Sequence, residues 1–164
     1  MAFNGKDVRP TSDMVRESLF NILQFKIAGA DFLDLFCGTG AMGIEALSRG
    51  ANSVVFNDLS KDSLKLVKSN LEKCKVESGF ELTNRDAETY LQTSAKKFDF
   101  IYIDPPYSTD VGKRVLEKAM LCLNDNGVVI FEDEKPFSSQ IEGLKITDTR
   151  KYGRAYLTFF VKEY

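Results

Sequence analysis

Apolar positions along the chain alternate between a helical period and short continuous runs. Val15, Leu19, Ile22 and Leu23 recur at i, i+4, i+7 and i+8, which predicts an amphipathic helix ending near residues 24–28. Residues 31–36 form a short apolar run that reads as a buried strand, and a helix through Ile44, Leu47 and Ser48 follows, ending at Gly50. Ser53–Asn57 predicts a second strand, and Ser60 is placed to cap a helix with Leu64, Val67, Leu71 and Cys74 on one face. A third strand is expected over 80–84, then Arg85-Asp86-Ala87 and a helix carrying Tyr90 and Leu91. Phe98–Ile103 reads as a fourth strand buried on both faces. A helix over 110–123, a turn at 124–127 and a fifth strand over 128–131 complete the alternation, which implies βαβ units and a parallel sheet. Only residues 150–154 separate the last two runs, 144–149 and 155–161. That is too short for a crossover helix, so these two strands should form an antiparallel hairpin.

Composition narrows the class. The 164 residues are 43% hydrophobic and 28% charged, which suits one domain over 1–164, with an N-terminal segment and helix over 1–28 and a core over 29–164. No apolar run approaches the ~20 residues of a membrane span and no signal peptide is evident, so a cytoplasmic protein without membrane contact is expected. Cys37, Cys74 and Cys122 are widely spaced without a metal-ligand pattern, so no metal is expected. The chain contains no histidine, which removes Ser-His and Cys-His catalysis and the commonest general base. The net charge of −2 supplies no global cationic field, so any nucleic acid must be held by a local patch or within an assembly.

Two stretches carry chemistry. The fourth strand runs into Asp104-Pro105-Pro106-Tyr107, where two prolines end the ladder in a stiff turn with a carboxylate before it and a ring after it. A carboxylate, a carbonyl with few local donors and an aromatic face suit a flat group bearing an NH2; the plainer reading is an exit turn with Asp104 as a solvated cap. Gly38-Thr39-Gly40-Ala41-Met42-Gly43 follows the first strand and opens a helix, and Asp58 lies ~20 positions on, where a ribose diol would be held. This pattern points to a nucleoside-containing cofactor. NAD fits poorly, because there is no histidine and no tyrosine has lysine four residues later. S-adenosylmethionine fits better: Asp34 can order the loop and reach the amino acid end, and Asp86 with the Ala87 N–H can meet the adenine. Each acid could instead be a helix cap. Lys6, Arg9 and Arg16 lie near the first helix, as a phosphate- or cofactor-facing group or as a solvated helix entrance.

Asp34-Leu35-Phe36-Cys37-Gly38-Thr39-Gly40 followed by Asp104-Pro105-Pro106-Tyr107 resembles the amino-methyltransferases. Three further stretches narrow the resemblance: residues 9–13 with 16–21, residues 43–51, and Phe131-Glu132-Asp133-Glu134. Together they are similar to the bacterial 16S ribosomal RNA guanine-N2 methyltransferases that modify the small subunit. The resemblance implies a Rossmann-like class I α/β fold, a mostly parallel seven-stranded sheet ending in an antiparallel hairpin, and a monomer acting on 16S rRNA in the small subunit or an assembly intermediate. It implies catalytic roles for Asp104, Pro105, Pro106 and Tyr107. It further implies S-adenosylmethionine contacts from Asp34, Phe36, Cys37, Gly38, Thr39 and Gly40, from Asp58 and Leu59, from Asp86 and Ala87, and from Asp104. Arg9, Thr11 and Arg16 would meet the RNA. The family more often has Phe where Tyr107 stands, and Tyr is common in adenine-N6 enzymes, so adenine-N6 methylation of DNA or RNA is the alternative. From other classes, an NAD-dependent oxidoreductase or a non-catalytic nucleotide-binding module remain.

Overall fold

The computed structural model describes residues 10–106 and 110–164, with positions 10 and 11 described by backbone alone. Arg9 and Tyr107 therefore lie outside the described residues, and Thr11 is placed only as part of the first helical turn. Five helices, α1 (Pro10–Leu23), α2 (Ala41–Ser48), α3 (Lys61–Lys73), α4 (Ala87–Thr93) and α5 (Asp110–Ala119), flank a single sheet among the described residues. Its strands are β1 (Asp31–Asp34), β2 (Ser53–Asn57), β3 (Phe80–Thr83), β4 (Phe98–Ile103), β5 (Leu123–Asp133), β6 (Leu144–Tyr152) and β7 (Ala155–Lys162). They lie in the order β3-β2-β1-β4-β5-β7-β6. β1 to β5 pair in parallel and β7 pairs antiparallel with both β5 and β6, as the alternation and the short final connection require. The order reverses beside β1, between β1 and β4, and a parallel sheet opens its ligand crevice at such a switch point.

The sheet divides the core in two. Phe20, Phe32, Phe56 and Phe100 belong to the half under α1, α2 and α3, and Phe20 and Phe100 flank the Phe32 ring at 5.8 and 6.5 Å. Phe98, Ile101, Phe131 and Phe160 belong to the half under α4 and α5. Burial of each such side chain stabilises the fold by about 1.5–3 kcal/mol. Among the described residues no helix is long and apolar enough to cross a membrane.

Three boundaries differ from the sequence reading. The ladder of β1 stops at Asp34, although the Leu35 N–H still donates to the Tyr102 carbonyl (3.2 Å). α5 ends at Ala119, a 3-10 turn over Met120–Cys122 follows, and Leu123 already pairs with Phe98. Residues 124–127 thus form an irregularity inside β5, before Val128 pairs with Phe100, and not a helix stop. The hairpin is tighter than expected. Arg150, Lys151 and Tyr152 stay in β6, Tyr152 pairs with Ala155, and Gly153 (φ 61°) with Arg154 makes a two-residue turn.

Candidate active site

The glycine loop turns between β1 and α2 at the carboxyl edge of the sheet. Gly38 (φ 53°) and Gly40 (φ 83°) occupy the left-handed region that a side chain would strain. Gly43 serves a different purpose: a β-carbon there would lie 2.3 Å from the Phe56 ring, so its absence lets α2 settle on β2. Gly40 precedes α2 without any side-chain cap. Asp34 supplies one from the neighbouring strand, accepting the Gly43 N–H at 3.1 Å. It is 1% exposed, and burial pushes its pKa up to about 8; the Gly43 hydrogen bond opposes that rise and Asp58 adds to it.

Asp58 follows β2 and is held on both oxygens, by the Gly38 N–H (3.0 Å) and the Ser60 N–H (2.9 Å). Leu59 beside it is 71% exposed, and the Asn84 amide fixes this corner by donating to the carbonyls of Asp58 and Leu59. Asp86 caps α4 by accepting from Thr89 N at 3.2 Å, which is the plainer of its two sequence readings; Ala87 behind it is buried. Asp34, Phe36, Cys37, Gly38, Thr39 and Asp104 line the cleft, whereas Asp58, Leu59, Asp86 and Ala87 are not among its lining residues. That cleft holds about 190 Å³. Burial, then the nearby Asp34 and Asp58, raise the Cys37 thiol, so it stays protonated.

Asp104 directly follows β4, is exposed and lines the cleft. Desolvation by its packed surroundings, then Glu132, Asp34 and Asp133, push its pKa well above the carboxylate range. Its exposure along the cleft means that solvent screens part of that effect. Pro105 is buried and Pro106 exposed. Gly112 on α5 would carry a β-carbon 2.8 Å from the Phe131 ring, so its missing side chain lets α5 settle on β5. Arg16 also lines the cleft, with carboxylate oxygens of Asp13 at 3.3 Å and Glu45 at 3.7 Å.

The sequence reading missed Tyr102, Asn57 and Asn70, and quoted Glu132 as part of the resemblance without giving it a role. Tyr102 donates its hydroxyl to Glu132, and both face the cleft. Burial raises the Tyr102 pKa, so the phenol keeps its proton. Asn57 donates to the carbonyls of Leu35 (3.1 Å) and Arg85 (2.9 Å) and accepts from the Thr83 hydroxyl, tying three strand ends together. Asn70 on α3 donates to the Thr39 carbonyl at 3.0 Å and pins the glycine loop. A polar residue closing an apolar strand was the available signal for Asn57. Asn70 had a comparable one, three positions after Val67 on the inner face of its helix.

Asp34, Asp104 and Glu132 make the cleft acidic, and Arg16 is the one cation among its described lining residues. A pyrophosphate would be repelled here, whereas a ligand carrying an ammonium and a sulfonium would relieve the crowded carboxylates. The residues lining the cleft therefore fit S-adenosylmethionine.

A family model described as conserved hypothetical protein 95 matches residues 1–161. The ribosomal RNA small subunit methyltransferase D of Haemophilus influenzae is 35% identical over 140 residues, which cover 80% of this chain and 71% of that protein. A conserved hypothetical protein of Streptococcus pyogenes superposes with a TM-score of 0.81 at 28% identity, covering 90% of this chain and 95% of that one. SMU.776, solved in complex with SAH, superposes with a TM-score of 0.77 at 19% identity, over 93% of this chain and 50% of the other.

Proposed function

The chain belongs to the conserved hypothetical protein 95 family, and from that membership we propose that it methylates the exocyclic N2 of a guanine in 16S ribosomal RNA of the small subunit. Its cofactor is S-adenosylmethionine, which when bound supplies an electrophilic methyl on a sulfonium. The observation that carries the choice of base is the pair of carboxylates, Asp104 and Glu132, lining one end of the acidic cleft. Guanine offers N1–H beside its amino group, whereas adenine offers a lone pair at N1. Two acceptors therefore favour guanine.

The amino nitrogen of guanine is a poor nucleophile because its lone pair is delocalised into the ring. Asp104 and the Pro105 carbonyl accept its two N–H bonds and turn that lone pair out of the ring. The bond to Asp104, ionised beside the cofactor's sulfonium, is worth about 1.5–3 kcal/mol, and the bond to the neutral Pro105 carbonyl about 0.5–1.5 kcal/mol. Glu132, held by the Tyr102 hydroxyl, accepts N1–H. Tyr107 stacks on the base, worth about 1–3 kcal/mol. No strong base is needed, since the methylated amine sheds its proton readily; the absence of histidine agrees with this. A paired guanine hides this edge, so the target must be unpaired or flipped out.

The test is radiolabel transfer from S-adenosylmethionine to unmodified small subunits, free 16S RNA and duplex DNA, followed by digestion to nucleosides. Label in N2-methylguanosine is expected, and none with Asp104→Ala, whose cofactor affinity should stay within a few-fold. Label in N6-methyladenine would keep the role of Asp104 and discard the choice of base. No label on any substrate would overturn the reading.

A further inference from the structure

We propose that the β6–β7 hairpin tip is the phosphate-binding platform that holds RNA beside the cleft, with Arg150, Lys151 and Arg154 as its anchors. The inference rests on the reading that the substrate is RNA. It starts from a mismatch of charge: the chain carries −2 overall, and the cleft is acidic, yet the substrate is a polyanion. Residues 149–156 hold three cations and no acid.

Strand register brings this segment to the active-site edge. Glu132 of the cleft pairs with Leu157, and Leu157 pairs with Arg150. Cross-strand partners share a face, and adjacent strands are ~4.8 Å apart, so Arg150 stands roughly 10 Å from Glu132 on the same side of the sheet. Lys151 pairs with Tyr156 on the other side and lies 5.5 Å from that ring centroid. Arg154 sits exposed in the turn between them. The tip thus presents cations on both faces and at its end.

It is also held in place. Tyr152 and Ala155 pack into the core half under α1, and the Asp148 carboxylate accepts the Arg150 guanidinium at 2.8 Å. A platform that is ordered before binding loses little freedom when it engages phosphates. Lys145, near the start of β6, pairs with Val161 and lies at the opposite end of the sheet, which makes it an internal control.

The experiment compares R150Q/K151Q/R154Q and Lys145→Gln with the wild-type chain in filter binding to a 16S RNA fragment across a salt series. Three lost contacts at roughly 0.7 each should shrink the slope of log affinity against log salt by about 2. Affinity at about 50 mM salt should fall tenfold or more. SAH affinity and Tm should stay unchanged, and Lys145→Gln should behave as wild type. Should the triple variant fold poorly, Arg154→Gln in the exposed turn should lose about a third of the slope change. An unchanged slope, an equal loss with Lys145→Gln, or no RNA binding by the wild-type chain would each overturn the proposal. If RNA binding depends on the hairpin while no substrate is methylated, the platform stands and the assigned reaction fails.

Discussion

Asp34 shows how a single buried carboxylate can weaken the unliganded fold as it ionises. It is buried at the cleft base, caps α2 through the Gly43 N–H, and has its pKa raised to about 8. The folded-state value therefore exceeds the unfolded value near 4. The native state then binds a proton that the unfolded chain releases, and stability falls as pH rises from about 4 to about 8. Asn at this position keeps an acceptor for the Gly43 N–H without that penalty. Unliganded Asp34→Asn should match the wild-type chain near pH 4 and exceed it near pH 8 by an amount of order a few kcal/mol, read from urea denaturation. Its SAH affinity should fall, because the ammonium loses its counter-charge. Wild-type and variant stability curves that run parallel across this range would refute the account.

At the level of elements, the glycine loop depends on how closely α2 approaches β2. A methyl group at Gly43 would meet Phe56 ring carbons at 2.3 and 2.8 Å and Val54 at 2.9 Å, with both side chains fully buried. Ala raises helix propensity by about 1 kcal/mol, but overpacking a rigid core costs about 1–3 kcal/mol. The clash is severe and buried, so repulsion should win. Gly43→Ala is expected to lower unfolding free energy by about 1–3 kcal/mol and to weaken SAH binding as the loop shifts. Gly38→Ala meets nothing within 4 Å, so its cost should come from backbone strain alone, about 1–2 kcal/mol. Comparable SAH binding by Gly43→Ala and the wild-type chain would count against the packing account. The loop itself was legible in the sequence, because glycine spacing reports local backbone demands. The clamps around it were not. Asn70 reaches Thr39 across 31 residues and Tyr102 reaches Glu132 across 30, and no local period encodes such pairs. Position 119–123 misled for a related reason: Leu123 is drawn into the sheet by Phe98, a tertiary partner that outweighs helical continuity.

Across the whole molecule, every residue assigned to the cofactor lies at one end of the sheet. The crossovers of a parallel sheet return strands in one direction, so the loops after β1, β2, β3 and β4 share that end and their acids converge. This convergence was readable as soon as the alternation was read as βαβ, which is why Asp34, Asp58, Asp86 and Asp104 could be grouped without coordinates. That Asp34 and Asp104 line the cleft while Asp58 and Asp86 do not was not readable, since it depends on strand length and twist. The grouping makes a prediction for the entire chain. Hydrogen exchange with and without SAH should show slowed exchange in residues 35–43, 58–60, 85–87 and 104. Loops at the opposite end, residues 28–30, 50–52 and 75–79, should exchange unchanged. The latter include part of the lining of a separate depression, at Ala51, Asn52, Val76 and Gly79, which would be the natural rival site. Protection there, with the glycine loop unaffected, would place the cofactor on the wrong end of the sheet for Asp104 to act. Protection at residues 35–43 without residues 85–87 would keep the cleft and leave Asp86 as the α4 cap its hydrogen bond to Thr89 already makes it.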